Sequence, residues 1–193
     1  MMTNEQLRLR RMILAALFAA ITGVLAQMII PLPLVPITGQ TLAIGLAATI
    51  LGSRYGTLSI LVYLALGAVG LPVFAEMKSG ISPLFGPTGG YLVGFIPTAF
   101  LIGWYMEKTS FTVKNAIVAN IIGMIVTLAF GTVWLKLSAG FEWTTALKGG
   151  FYPFLPVGVI KAVLAASIGI GVRKRLVSAN LLLPLENNMK QSA

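Results

Sequence analysis

"VKNAIVANIIGMIVTLAFGTVWL", Val113 to Leu135, carries a single charge at Lys114 and then runs uncharged to its end. About 20 apolar residues are enough for a helix to cross a bilayer's hydrocarbon core, and this stretch supplies them. Within it Asn120, Gly123, Thr127, Gly131 and Trp134 recur at spacings of three and four, which puts them on one helical face. That face holds nearly all the small and polar residues of the segment, so it is expected to point into a bundle. Asn120 is read as a helix-to-helix hydrogen bond. Trp134 suits either an interfacial aromatic belt or stacking on a ligand.

Similar segments fill the chain. It is 57% hydrophobic and 10% charged over 193 residues, where a soluble domain carries about a quarter charged residues. Spans are expected at Met12–Ile30, Thr38–Leu51, Gly56–Val69, Gly90–Met106, Val113–Leu135 and Pro156–Val172. The second and third are short, and the tight "GSRYG" linker between them predicts a helical hairpin. The fold class is therefore an all-α integral membrane protein of six transmembrane helices with structured outer loops. The first segment runs too long for a signal peptide's apolar region, and no small-residue cleavage site follows it.

The net charge of +9 reads as topology and not as nucleic-acid binding. Arg8, Arg10, Arg11, Arg54, Lys108, Lys114, Arg173, Lys174 and Arg175 flank apolar segments on one side, against Lys78, Lys136 and Lys148 on the other. The positive-inside rule then places both termini in the cytoplasm. The expected organisation is a basic N-terminal segment 1–11, a membrane domain 12–172 and a cytoplasmic tail 173–193.

Cysteine, histidine and aspartate are absent, and the five glutamates are scattered. Zinc sites and Ser-His-Asp chemistry lack parts, no buried carboxylate is placed for a proton relay, and there is no Walker A sequence. An enzyme is not expected, nor a metal or other cofactor.

Three features ask for a function. The loop "GLPVFAEMKSGISPLFGPTGGY", Gly70–Tyr91, is long and punctuated by glycine and proline, and such loops tend to be functional. On the first span Ala15 and Ala19, Ala16 and Ala20, and Gly23 form a small-residue ridge. A ridge of this kind admits close helix approach in a membrane, from this protein's own helices or from a partner. Lys161 lies five residues past Pro156, about 7.5 Å along a helix, inside the outer half of the bilayer. It is either snorkelling to the headgroups or held as a cation for an anionic substrate.

The segments "PLPLVPITGQTLAIGLAATILG", "GLPVFA", "GPTGGYLVGF", "GTVWL" and "PFLPVGVIKAVLAA" together resemble the BioY family, from about Met12 to Val172. These are substrate-binding (S) subunits of energy-coupling-factor (ECF) vitamin transporters. The resemblance implies a subunit of a prokaryotic cell membrane that binds biotin from outside. It also implies partners: a transmembrane coupling protein and two ATPase subunits. The family's small-residue patterns on the first helix contact the coupling protein, which maps onto Ala15/Ala19 and Ala16/Ala20. Two departures stand out. "EMKSG", Glu76–Gly80, replaces a glycine-rich stretch, and Gly158 stands where an acidic residue is common.

On this reading the Gly70–Tyr91 loop folds over the outer mouth of the bundle. Phe74, Phe85, Trp134 and Phe154 are the expected ligand walls. Gln40, Thr88, Tyr91 and Lys78 are the expected polar contacts, and Lys161 takes the carboxylate. The alternatives are an S subunit for another small carboxylate or vitamin such as dethiobiotin, a membrane assembly protein with no small-molecule ligand, and an autonomous channel.

Overall fold

The computed structural model describes residues 4–182. Residues 1–3 and 183–193, which include both ends of the expected terminal segments, lie outside the described residues. The elements in order are α1 (Asn4–Ala26), the short strands β1 (Ile29–Ile30) and β2 (Ile37–Thr38), and α2 (Gln40–Ala68). A 3-10 turn (Ala75–Met77) and α3 (Ser82–Phe85) follow, then α4 (Gly89–Lys108), α5 (Val113–Ala139), α6 (Trp143–Gly150) and α7 (Phe154–Ser178). Among the described residues five helical stretches are long and apolar enough to cross a membrane, with α2 and its two arms counted as one.

Those arms reverse direction at Gly52, whose φ of 81° and ψ of −172° break the helix. A side chain at this positive φ is strained, and the Glu107 carboxylate already fills the place a Cβ would take. Beyond the turn, Gly56 lies close enough to the Ala48 backbone that a Cβ would sit 2.8 Å from its Cα. A straight helix would separate those residues by about 12 Å. The hairpin expected from "GSRYG" is therefore present, with almost no loop.

So tight a reversal leaves helix-end carbonyls and amides without partners, which is costly away from water. Arg173 and Glu107 each satisfy one of them. The Arg173 guanidinium donates to the Ile50 carbonyl at the end of the first arm. The Glu107 carboxylate accepts the Ser53 amide at 2.8 Å and the Ser53 hydroxyl at 2.6 Å at the start of the second. The Arg173 guanidinium also lies 3.5 Å from the centroid of the Phe111 ring. Arg173 was expected among the charges flanking the membrane, but it is only 6% exposed. It shares the inward stripe of α7 with Ala162, Ala165, Ala166, Gly169 and Ile170.

The α2 hairpin packs against α1, α4 and α7, and α5 packs against α4 and α7. Polar pairs join these elements inside the bundle. Asn120 donates to the Thr49 hydroxyl at 2.9 Å, the helix-to-helix bond expected of it, and Thr98 shares a 2.7 Å hydrogen bond with Thr127. Large apolar side chains such as Ile13, Val24, Phe100 and Ile160 face outward, as a lipid environment requires.

Several boundaries differ from expectation: α1 already begins at Asn4, within the expected basic segment, and α5 runs on to Ala139. The first span ends at Ala26, because Met28–Ile30 leave the helix and Ile29–Ile30 pair antiparallel with Ile37–Thr38. The β-branched isoleucine pair ahead of Pro31 favours an extended strand over a helix. At the opposite end α7 continues to Ser178, and Leu182 is buried against α1 and α2 beside Phe18 and Leu51. Arg10 donates to the Asn180 carbonyl at 3.2 Å, so the start of α1 and the end of α7 meet at the same end of the bundle.

Candidate functional site

At the other end, the Gly70–Tyr91 loop borders an open cavity of about 730 Å³, mouth included. The loop is pinned at both ends. On one side the Phe74 ring is buried between Gly67 and Tyr63, edge-to-face with the Tyr63 ring at 5.6 Å. On the other, Trp134 Nε1 donates to the Gly86 carbonyl at 3.0 Å.

Seven of the nine residues expected to bind the ligand line this cavity: Gln40, Phe74, Lys78, Thr88, Tyr91, Phe154 and Lys161. Two expected walls do not. Phe85 is 70% exposed on the outer side of α3. Trp134 is engaged in holding the loop and packs over Gly90. Aromatic character alone did not distinguish a wall from an anchor.

Lys161 stands where two chambers join. The outer chamber is rimmed by Glu76, Lys78 and Thr88. A deeper one of about 550 Å³ is lined by Ile44, Thr98, Asn120, Met124, Thr127 and Gly158, and Lys161, Thr41, Thr127, Leu128 and Phe154 line both. Lys161 Nζ donates to the Thr38 carbonyl at 2.6 Å and to the Thr41 hydroxyl at 3.3 Å. An ammonium has three donors, so one remains for the cavity. Among the described residues the one ion pair is Glu76 with Lys78 at the rim, and Lys161 has no carboxylate partner. Its ammonium is held by neutral acceptors alone.

Gln40 is held from both ends of its amide. Its Oε1 accepts from the Thr38 hydroxyl at 2.7 Å, and its Nε2 donates to the Tyr63 hydroxyl, which in turn donates to the Val73 carbonyl at 3.2 Å. One amide N–H and one carbonyl lone pair are left for a ligand. Thr88 is the N-cap of α4 but makes no side-chain capping bond, so its hydroxyl is free to face the cavity. The Tyr91 hydroxyl donates to the Gly150 carbonyl at 2.7 Å. Its ring, stacked on Phe154 with centroids 6.1 Å apart, is therefore a wall more than a donor.

The structure adds Thr38 and Thr41 to the cavity lining and Tyr63 behind Gln40. The signal for Tyr63 was a lone phenol in the apolar run "SILVYLALG", where burial demands a hydrogen-bond partner.

The small-residue ridge of α1 divides. Ala15 and Ala19 are 1% exposed. Gly23 is also buried, and a Cβ there would lie 3.2 Å from Val73. This protein's own helices and loop occupy these three, which corrects their expected place on a partner face. Ala16 and Ala20 are exposed on the opposite side, with Ile13, Leu17 and Val24.

The BioY family model matches residues 1–178. The chain is 43% identical to the biotin transporter BioY2 of Lactococcus lactis subsp. cremoris (strain MG1363), over 91% of this chain and 97% of that one. It is 40% identical to the biotin transporter BioY of Thermotoga maritima, over 86% and 97%. The fold superposes with a TM-score of 0.81 on the crystal structure of the S-component for biotin from an ECF-type ABC transporter, at 32% identity, covering 90% of this chain and 95% of that one.

Proposed function

The chain belongs to the BioY family, and on that premise we propose that it is the biotin-binding S subunit of an ECF-type transporter. It is a transport protein and not an enzyme. It crosses the plasma membrane of a prokaryote six times, with α2 providing two spans. Both termini lie in the cytoplasm and the cavity opens outside. Its partners are a transmembrane coupling protein and two ATPases, which supply the energy this chain has no motif to provide. Residues 12–172 form the binding domain between short cytoplasmic ends.

The observation that carries the ligand assignment is Lys161. Its ammonium sits at the junction of two chambers with neutral acceptors and a donor to spare. Biotin offers a carboxylate for that donor, a ureido ring for amide-type hydrogen bonds and an aliphatic tail for apolar walls. Gln40 and Thr88 serve the ring, Phe74, Tyr91 and Phe154 wall the site, and Lys78 at the rim contributes positive charge. Ala16 and Ala20 face the coupling protein.

A ligand panel on the purified subunit tests the assignment. Biotin should raise the unfolding temperature more than dethiobiotin or unrelated vitamin carboxylates. Equal stabilisation by every carboxylate, or none by biotin, would contradict it.

A further inference from the structure

Gln27 follows the last residue of α1 and does not line the cavity, yet both atoms of its amide are bonded to the loop that does. Its Nε2 donates to the Phe74 carbonyl at 2.9 Å, and its Oε1 accepts the Met77 amide at 3.0 Å. The two bonds demand opposite characters from the two ends of one side chain, which fixes the amide's orientation.

The turn it grips is strained. Glu76 and Met77 are consecutive non-glycine residues with φ of 60° and 56°, a left-handed conformation that L-residues with side chains resist. The turn's own bonds, Phe74 N–H to the Lys78 carbonyl and Lys78 N–H to the Ala75 carbonyl, close it without fixing it to the bundle. Phe74, Ala75, Glu76 and Lys78 all border the cavity, so opening this turn removes one side of the site.

We propose that Gln27 is a positioning residue for the ligand site: it ties the strained Glu76–Met77 turn to the end of α1, and so sets how readily the turn releases a bound ligand. This rests on the biotin-binding reading above. It has a mechanical corollary. The helix whose exposed Ala16 and Ala20 await a partner is also the one that holds the turn, so a shift of α1 reaches the site through Gln27. By linkage, ligand and partner then bias each other.

The test is a set of variants on the full chain in detergent: Gln27→Leu, Met77→Gly and both together. Glycine enters the left-handed region without the side-chain penalty, so it removes the strain that Gln27 restrains. Gln27→Leu should speed biotin dissociation about tenfold, as loss of a pair of hydrogen bonds allows, in a protein that still unfolds cooperatively. In the Met77→Gly background the same substitution should change the rate by no more than about twofold, because coupled sites are not additive. An unchanged off-rate in Gln27→Leu, or the same acceleration in both backgrounds, would overturn the proposal.

Hydrogen exchange at residues 74–78 without ligand separates this from the biotin assignment. Faster exchange in Gln27→Leu supports the tie even if biotin does not bind the parent, which would sink the assignment alone. Unchanged exchange overturns the tie whatever the ligand.

Discussion

Gln40 and Tyr63 stand 23 positions apart along α2 and are joined side chain to side chain by a hydrogen bond. A continuous helix would separate them by about 35 Å, so this bond closes the outer end of the hairpin whose inner end turns at Gly52. It also aligns the Gln40 amide at the cavity and, through the Tyr63 hydroxyl, attaches it to the loop carbonyl of Val73. Removing that hydroxyl in Tyr63→Phe leaves two groups without a partner at a cost of about 1–3 kcal/mol. Titration calorimetry should show biotin binding weakened by roughly tenfold with the fold intact. Affinity equal to the parent's would mean the Gln40 amide is not used.

Arg173 answers to stability more than to binding. Arg173→Met keeps the apolar stem but leaves the Ile50 carbonyl at the hairpin turn without its donor. The unfolding free energy should fall by about 1–3 kcal/mol, read as a lower unfolding temperature in detergent, while biotin affinity changes little because the cavity lies at the other end. An unchanged melt would return Arg173 to the membrane-flanking role its place in "RKR" suggests.

The divided ridge on α1 makes the two alanine pairs behave oppositely. Ala16→Leu with Ala20→Leu should leave biotin binding by the isolated subunit intact and abolish uptake when the partner module is co-expressed. Ala15→Leu with Ala19→Leu should impair folding, because overpacking two positions that are 1% exposed costs about 1–3 kcal/mol each. Equal loss of binding in both pairs would remove Ala16 and Ala20 from the partner face.

The apolar helices were legible because long apolar runs leave few alternatives, and "GSRYG" announced the hairpin. The inward face of α5 was legible as well, since its polar and small residues repeat at helical spacing. The ridge was not. Lipid and protein interior are equally apolar, so nothing in the side chains of α1 says which of two adjacent stripes faces in. Arg173 was readable in principle: it continues the stripe through Ala162, Ala166 and Ile170. It was missed because a basic cluster at a helix end ordinarily faces lipid headgroups.

The place of Lys161 beside the cavity was legible from its cost in a membrane. Phe85 and Trp134 were not, because whether an aromatic ring walls a cavity, faces solvent or pins a loop depends on loop geometry that spacing does not encode. Glu76 and Met77 conceal their strain for the same reason, as neither residue type advertises a positive φ.

Lys161 is proposed as the cation for the substrate carboxylate. Titration calorimetry of biotin into the purified chain, with Lys161→Ala alongside, tests it most directly. The parent should bind saturably and the variant should lose roughly 10- to 100-fold, the scale of a charge-assisted hydrogen bond, with both proteins folded. A folded variant that binds biotin as tightly as the parent would contradict it.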